Sequence, residues 1–254
     1  MDENDYGSVT ARFYDAAYAT LPTLGPDVDF YRRVAREAGG PVLELGCGTG
    51  RVLLALVGDG RECTGLDASR EMLEVLERKG SGAAVRLVHG DMRDFDLGGA
   101  RFALVYSAFR AFQHLETVDD QLRCLACVRR HLVPGGRFVF DVFNPRLERM
   151  AEDEEGESED LRFELDGEQV VRHARVVRDR ATQSMRVDFR YERRRDGALV
   201  GNETTSVRMR WFWRYELEHL MARADFANVR IFGDFDASEV TRDSPSFIVC
   251  GTAE

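Results

Sequence analysis

Lysine is almost missing from this chain of 254 residues: Lys79 is the one lysine among 35 basic side chains. Proline (6), tryptophan (2) and histidine (5) are also sparse. No lysine or aspartate–histidine arrangement therefore offers an obvious strong base. No apolar run approaches the ~20 residues of a membrane span. Met1–Asp5 is acidic, unlike a signal peptide, so a cytoplasmic chain that does not bind membranes is expected. The cysteines Cys47, Cys63, Cys124, Cys127 and Cys250 are odd in number and dispersed. Cys124 and Cys127 form a CxxC, but no second pair or histidine pair completes a metal box. They fall in the helical pattern of Leu122, Leu125, Ala126 and Val128, and read as small buried apolar residues. No metal is expected. Basic residues fall short of acidic ones, 35 against 45, for a net charge of −10. Such a surface repels phosphate backbones, which argues against nucleic-acid binding while leaving room for a local basic patch.

The 44% hydrophobic content is that of an ordinary globular protein. The first half alternates strand and helix. Strands are expected at Pro41–Leu45, Glu62–Leu66, Val85–His89, Phe102–Tyr106 and Phe138–Phe143. Helices are expected at Val52–Val57, after a Ser69 N-cap with Met72, Leu73, Val75 and Leu76 inward, and at Val118–His131, stopped by Pro134-Gly135-Gly136. This pattern predicts an α/β fold, a doubly wound, mostly parallel sheet with right-handed crossovers. After Asn144-Pro145 the pattern changes. Ala151–Asp160, with seven acids in ten residues, reads as a solvated loop. From Leu161 to Trp213 apolar residues alternate: Met185, Val187, Phe189 and Tyr191 share one face, Asp196-Gly197 makes a turn, and Val207, Met209, Trp211 and Trp213 line the next strand. Nine arginines between Arg172 and Arg195 read mainly as a solvated face, with reading of an acidic substrate as the alternative. The parallel pattern then resumes with a helix at Tyr215–Ala224 and strands at Val229–Phe232 and Phe247–Cys250.

The strongest motif is Glu44-Leu45-Gly46-Cys47-Gly48-Thr49-Gly50, between the first strand and the first helix. Glycines there permit a tight turn and close approach of a ligand. Asp67 ends the second strand, where a carboxylate can accept both hydroxyls of a ribose. Glu44 would oppose a pyrophosphate but attract an ammonium or sulfonium. Gly90-Asp91-Met92 follows the third strand, where Asp91 can accept from an adenine amino group and Met92 pack on the ring.

Together these features resemble the class I S-adenosylmethionine-dependent methyltransferases, closely from Val42 to Phe143 and more loosely from Trp211 onward. Leu66-Asp67-Ala68-Ser69…Met72-Leu73, Phe109-Arg110…Gln113-His114-Leu115 and Phe140-Asp141…Asn144-Pro145 look like the small-molecule branch, which includes glycine, aminosugar and antibiotic-tailoring N-methyltransferases. The resemblance implies a seven-stranded Rossmann-like sheet with an antiparallel sheet inserted after strand 5, and S-adenosylmethionine as donor. It implies that Glu44, Gly46, Cys47, Gly48 and Gly50 hold the methionine part, Asp67 the ribose, and Asp91 and Met92 the adenine, with Ala68 also at the donor. Tyr18, Met72 and Ser107 complete the expected donor site. The corresponding division is a helical lid (1–40), a donor-binding core (41–146), an inserted sheet (147–213) and the end of the core (214–254).

On the acceptor side, Tyr6, Tyr14 and Tyr18 in an aromatic N-terminal segment are candidates for a lid and substrate wall; the alternative is a helix packed by its aromatic face. Phe109 and Phe112 either wall the methyl-transfer centre or pack the core. Arg110 either pairs a substrate carboxylate or holds a loop. His114 either serves as a base or orients the nucleophile, or is structural. Trp211 and Trp213 on the insert either cover the pocket or meet a second subunit, giving a homo-oligomer. Asp141, within the fifth strand, needs partners for a buried carboxylate. The expected reaction is N-methylation of a small amine in secondary metabolism, with Tyr14, His114 and Phe109 catalytic. An O-methyltransferase, or a nucleotide-binding protein without methyl transfer, is the alternative.

Overall fold

The computed structural model describes residues 7–19, 21, 25–80 and 85–254. Helices α1 (Ser8–Tyr18) and α2 (Pro26–Ala38) precede strand β1 (Val42–Leu45). The chain continues through α3 (Arg51–Gly58), β2 (Cys63–Asp67), α4 (Arg70–Arg78), β3 (Val85–His89), β4 (Phe102–Ser107), α5 (Val118–His131) and β5 (Leu132–Phe143). A short α6 (Leu147–Met150) leads into β6 (Glu154–Leu165), β7 (Glu168–Asp179), β8 (Ser184–Arg195) and β9 (Ala198–Arg210). Helix α7 (Arg214–Arg223) and strands β10 (Phe226–Phe232) and β11 (Ser246–Ala253) finish the fold. Seven strands form one sheet in the order β10-β11-β5-β4-β1-β2-β3, and β6 to β9 form a separate antiparallel sheet. β1 to β5 run parallel, while β11 is antiparallel to both β5 and β10. The strand order reverses between β1 and β4, so a crevice opens where their carboxyl ends diverge.

Alternation along the strands splits the core into two layers. Leu43, Leu45, Val105, Phe138, Phe140 and Val142 pack against α5 and α7. Val42, Leu104, Tyr106 and Val139 pack on the other side against α2, α3 and α4. Period two therefore puts Glu44 on the face of Val42, and Asp141 on the face of Val139. Both carboxyls are carried into the second layer. Helix α2 belongs to that layer through Phe30, Tyr31, Val34 and Ala35. Of the segment 1–40, it is α1 that packs on the inserted sheet. The Ser69 N-cap forms, its hydroxyl accepting from the Met72 amide.

Three elements differ from the sequence expectation. β5 begins at Leu132, so Pro134-Gly135-Gly136 lies inside an irregular strand start and does not separate helix from strand. The acidic stretch is not a loop: from Glu154 it is the edge strand β6. Its acids are each held by an arginine, Glu154 by Arg175, Glu155 by Arg178 and Arg149, Glu157 by Arg190, Glu159 by Arg162 and Asp160 by Arg172. Charges that repel along the sequence are neutralised mainly across the sheet, and a charged edge resists pairing with another chain. β9 ends at Arg210, so Trp211 and Trp213 are not strand residues. Trp211 is buried with an indole N–H that has no acceptor among the described residues, and Trp213 starts α7, its backbone N–H donating to Glu216.

The expected hairpin turn at Asp196-Gly197 forms, with φ of 50° and 80°, the left-handed pair that a two-residue turn of this kind requires. The insert contacts the core through the end of β9: Gln113 Nε2 donates to the Arg210 carbonyl at 2.8 Å, while the Phe143 amide donates to Gln113 Oε1 at 3.0 Å. Helix α1 lies on the insert through Phe13, which stacks on Tyr191 at 4.6 Å and meets Phe163 edge-on at 6.2 Å. No helix among the described residues is long and apolar enough to cross a membrane. Because Phe13 is 1% exposed, Phe13→Ala is expected to cost about 3–5 kcal/mol of α1 docking. Hydrogen exchange should show α1 losing protection while β1 to β5 keep theirs.

Candidate functional site

The glycine loop begins where β1 ends. Its Gly46 and Cys47 amides both donate to the Leu66 carbonyl, tying the loop to the end of β2. Gly46 has φ of 70°, and a Cβ there would stand 2.7 Å from Ala111 Cβ. Gly50 has φ of 85°, and its Cβ would meet Leu76 at 2.2 Å. No other residue fits at either position without rearrangement. A Cβ at Gly48 would instead meet nothing within 4 Å, so the loop presents its backbone to open space there.

Asp67 secures the turn. One carboxylate oxygen accepts from the Gly48 amide at 2.6 Å and the other from the Ser69 amide at 2.8 Å. Burial pushes its pKa up, and these N–H bonds pull against that shift. Glu44 pairs in register with Tyr106 of β4, whose hydroxyl donates to Glu44 Oε2 at 2.8 Å. Burial raises Glu44 to about 8, with Tyr106 and Arg51 acting in the opposite sense. Burial thus makes Glu44 easier to protonate than an ordinary carboxyl, and a cation beside it would favour the charged form.

The third carboxyl is Asp141. It accepts from the Tyr31 hydroxyl and the Phe109 amide, each at 2.8 Å, and from the Arg110 amide at 3.1 Å. Phe109 and Arg110 have φ of 53° and 67°, left-handed conformations that are rare for such residues. The carboxylate captures their two adjacent amides and holds the loop in that shape. Burial raises Asp141 to about 6, against the pull of those hydrogen bonds.

Phe109 is thereby presented to α1. Its ring centroid lies 5.2 Å from Tyr18 and 6.5 Å from Tyr14, which themselves meet at 4.7 Å, all three edge-on. The Arg51 guanidinium lies 5.3 Å from the Phe109 ring and is paired with Asp27. Asp15 ties α1 to the glycine loop, accepting from Thr49 Oγ1 at 2.6 Å and from Lys79 Nζ at 2.7 Å. Lys79 also donates to the Thr49 carbonyl at 2.8 Å. The single lysine thus clamps three elements, and α1 lies over the loop.

The sequence-predicted residues divide accordingly. Glu44, Gly46, Gly48, Gly50 and Asp67 converge around the loop, and Tyr14, Tyr18 and Phe109 form one wall. Cys47 is buried beneath the loop, where a Cβ on Gly65 would stand 2.8 Å from its sulfur. Ala68 is exposed, its carbonyl 3.0 Å from His89 Nε2. Met72 is buried on the inner side of α4. Ser107 is buried, and its hydroxyl has no partner among the described residues. Asp91 follows β3 as expected, but Arg93 grips its carboxylate through the side chain and backbone amide, and this outweighs burial to lower its pKa. Met92 packs at the core margin, its Cε 3.5 Å from where a Gly46 Cβ would be.

Phe112 and His114 take the structural alternative. Phe112 is not a wall: it is fully buried, 4.3 Å from Phe140 and 5.9 Å from Phe212. Arg110 is exposed and lies over the Phe143 ring at 5.6 Å. His114 Nδ1 is 2.8 Å from the Arg208 carbonyl, an acceptor only, so that nitrogen carries the proton in the neutral ring. Burial lowers its pKa, favouring that neutral form. Tyr6 lies outside the described residues. Asp15, Asp27, Tyr31, Tyr106 and Lys79 were not anticipated. Asp15 had a visible signal in its place between Tyr14 and Tyr18 on one helix; the others depend on tertiary contacts. A concavity of about 710 Å³ at the opposite edge of the sheet, lined among others by Arg101, Leu122, Pro134 and Arg223, contains none of the predicted residues. Among the described residues no cluster of three or more His, Cys, Asp or Glu could hold a metal.

Two expectations follow from the carboxyls. A folded-state pKa raised above the unfolded value favours folding at low pH, and that advantage is lost as pH rises through the folded pKa. Glu44, shifted from 4.5 to about 8, should thus lower stability progressively across that interval. Thermal unfolding from pH 5 to 9 should show this slope, and Glu44→Gln should flatten its upper part while the contribution of Asp141 near 6 persists. Asp141→Asn retains a single acceptor for the two loop amides, and leaving one buried N–H unpaired costs about 1–3 kcal/mol. A lower melting temperature with altered near-UV signals from the Phe109–Tyr14–Tyr18 cluster is expected.

The profile of a "Methyltransferase domain" family matches residues 42–136, the stretch from β1 into β5. The chain is 36% identical over 107 residues to the cypemycin N-terminal methyltransferase of a Streptomyces species, covering 42% of this chain and 43% of that protein. It is 30% identical over 146 residues to the dTDP-3-amino-3,6-dideoxy-alpha-D-glucopyranose N,N-dimethyltransferase of Streptomyces fradiae, covering 54% of each. The matched segment therefore spans about half the length of these curated relatives. The likeness to the CcbJ methyltransferase structure from Streptomyces caelestis runs the full length: TM-score 0.82 and 30% identity, over 100% of this chain and 99% of that one. With the glycine loop and its carboxyls in the positions described, the chain belongs to the class I S-adenosylmethionine-dependent methyltransferases, in their small-molecule branch.

Proposed function

We propose that the protein transfers a methyl group from S-adenosylmethionine to an amine nitrogen of a small molecule, with an aminosugar or antibiotic-like acceptor. The observation that carries this reading is the convergence of an open glycine-loop backbone, two carboxyls and an aromatic wall on one sheet edge. The residues fit the donor. Glu44 is a buried acid on the loop face, Asp67 is rigidly oriented, and Gly48 leaves room for a ligand. Asp91 would serve the adenine from within its Arg93 clamp, and Ser107 offers a buried hydroxyl at the same edge. The names of the relatives, which include two aminosugar N,N-dimethyltransferases of Streptomyces, support a nitrogen acceptor.

The donor supplies a methyl group already activated by its sulfonium. Glu44 would take the ammonium of the donor and Asp67 the ribose hydroxyls. Tyr14 and Phe109 exclude water and set the approach of the nucleophile, which can contribute ~7–11 kcal/mol through alignment alone. A neutral amine attacks with its own lone pair; the C–S bond breaks, S-adenosylhomocysteine leaves, and the ammonium product gives its surplus proton to water. His114, its pKa lowered by burial and its ring tethered to the Arg208 carbonyl, acts as no strong base in this reading.

Calorimetry with S-adenosylhomocysteine and NADH tests the donor, and Asp67→Asn should weaken the first ligand by ~10–100-fold, the weight of a hydrogen bond to a charged group. Tight NADH binding without S-adenosylhomocysteine binding would refute the reading. A methyl-transfer panel of nucleotide-linked aminosugars, amino acids and bulk RNA tests the acceptor, with NMR locating the methyl group. His114→Ala should reduce turnover by less than the ~10²–10⁴-fold expected for a general base. An O-methyl product with an essential His114 would replace the amine assignment.

A further inference from the structure

We infer that Arg172 of the inserted sheet is a positioning residue for the acceptor wall, fixing the Tyr18 ring against Phe109 and committing the Tyr18 hydroxyl as a hydrogen-bond donor toward an oxygen on the methyl acceptor. The inference rests on the proposed reading of Tyr14, Tyr18 and Phe109 as that wall.

Arg172 is 5% exposed, although arginine is rarely buried. One edge of its guanidinium grips Asp160 on β6, with Nε at 3.0 Å and Nη2 at 2.7 Å from the carboxylate. The remaining amino group, Nη1, donates to Tyr18 Oη at 3.1 Å. The guanidinium plane is held between rings, 4.4 Å from Phe189 and 5.2 Å from Tyr18. Tyr191, stacked on Phe13, also faces it. A buried guanidinium needs a partner carboxylate, and Asp160 alone provides charge balance. The bond to Tyr18 is additional to that need, and it leads out of the insert into the site.

Two consequences follow from this geometry. Tyr18 lies 5.2 Å from Phe109 and 4.7 Å from Tyr14, so a ring fixed by Arg172 fixes its neighbours. The phenol oxygen, already accepting from the guanidinium, keeps its own hydrogen for another partner. That hydrogen suits an oxygen beside the reacting amine, as in an amino alcohol or aminosugar, because the nitrogen lone pair must stay free to attack. Lysine cannot replace Arg172: a single ammonium lacks the fork that reaches Asp160 and Tyr18 together.

The test uses the full chain labelled with 3-fluorotyrosine, with the Tyr18 resonance assigned by its loss in Tyr18→Phe. Arg172→Lys and Arg172→Met should move the Tyr18 resonance while Tyr31 and Tyr106, buried in the core, stay in place as evidence of folding. Asp160→Asn, which loosens the clamp but keeps the guanidinium, should move it in the same direction and serves if Arg172→Met fails to fold. In methyl transfer to a nucleotide-linked aminosugar, Arg172→Lys should lower kcat/KM by ~10–100-fold, the cost of misalignment, with S-adenosylhomocysteine affinity unchanged. Tyr18→Phe should lower kcat/KM by a similar factor, and the double variant should be no worse than either single one. An unmoved Tyr18 signal, or losses that multiply in the double variant, would overturn the inference. Failure of the unsubstituted protein to bind S-adenosylhomocysteine would instead overturn the methyltransferase reading, and the fluorine spectra would still decide whether Arg172 orients Tyr18.

Discussion

The carboxylate of Asp141 accepts from three directions, and the loop after β4 keeps its shape because of those bonds. Tyr31 reaches it from α2, while Phe109 and Arg110 offer successive amides from a left-handed turn. An L-residue in that conformation costs of order 1–2 kcal/mol, and two in succession persist only where the surroundings determine them. Burial penalises the charged form of Asp141, yet the charged form is the better acceptor for two amides. The wall and the carboxylate therefore depend on one another. Remove the acceptor and Phe109 has no reason to face α1.

Helix α1 has the complementary dependence, because it joins two bodies. Its apolar face, Phe13 and Ala17, is completed by Phe163, Val170 and Tyr191 of the insert. Its polar side is fastened to the core through Asp15, Thr49 and Lys79. A helix of 11 residues has little intrinsic stability in water, so these contacts decide where it sits. The apolar contacts are dry and persistent; the Asp15–Lys79 pair is partly exposed and weakened by salt.

Much of this was legible in the sequence because the signals are local. The limits of β3 and α5 coincide with the expected Val85–His89 and Val118–His131, since alternation and capping act over a few residues. The Ser69 cap and the Asp196-Gly197 turn are local in the same sense. The acidic edge strand was hidden for the opposite reason. Glu154 to Asp160 repel one another along the chain, and their neutralisation comes chiefly from arginines on β7 and β8, some reached only across the sheet. Five of the nine arginines, Arg172, Arg175, Arg178, Arg180 and Arg190, pair with that acidic stretch, a match invisible until the strands are paired. Phe112 shows a further limit. Its place near the site in sequence matches that of Phe109, but the sharp turn sends one ring to α1 and the other among Phe140 and Phe212. Phe109 and Arg110 lack the glycine that usually marks such a turn, and the residue that permits it lies 32 positions away in β5.

The donor site illustrates how a strongly acidic protein can hold carboxyls in a buried position without collapsing. Glu44 and Asp67 flank one glycine loop; Asp67 adds to the upward shift of Glu44, and both add to that of Cys47. Tyr106 lends Glu44 a hydrogen bond, and Asp67 distributes its charge over two amides, so neither needs a fixed cation in the protein. Arg51, which could have served, is held by Asp27 and lies over Phe109. The sheet edge thus keeps an uncommitted preference for positive charge. A sulfonium donor brings that charge and spends it in the reaction, since methyl transfer leaves a neutral thioether. Under the proposed function Glu44 and Asp67 meet the ammonium and the ribose hydroxyls, which donor and product share, so the carboxyls hold the nucleoside while the alignment set by the wall acts on the transferred methyl group.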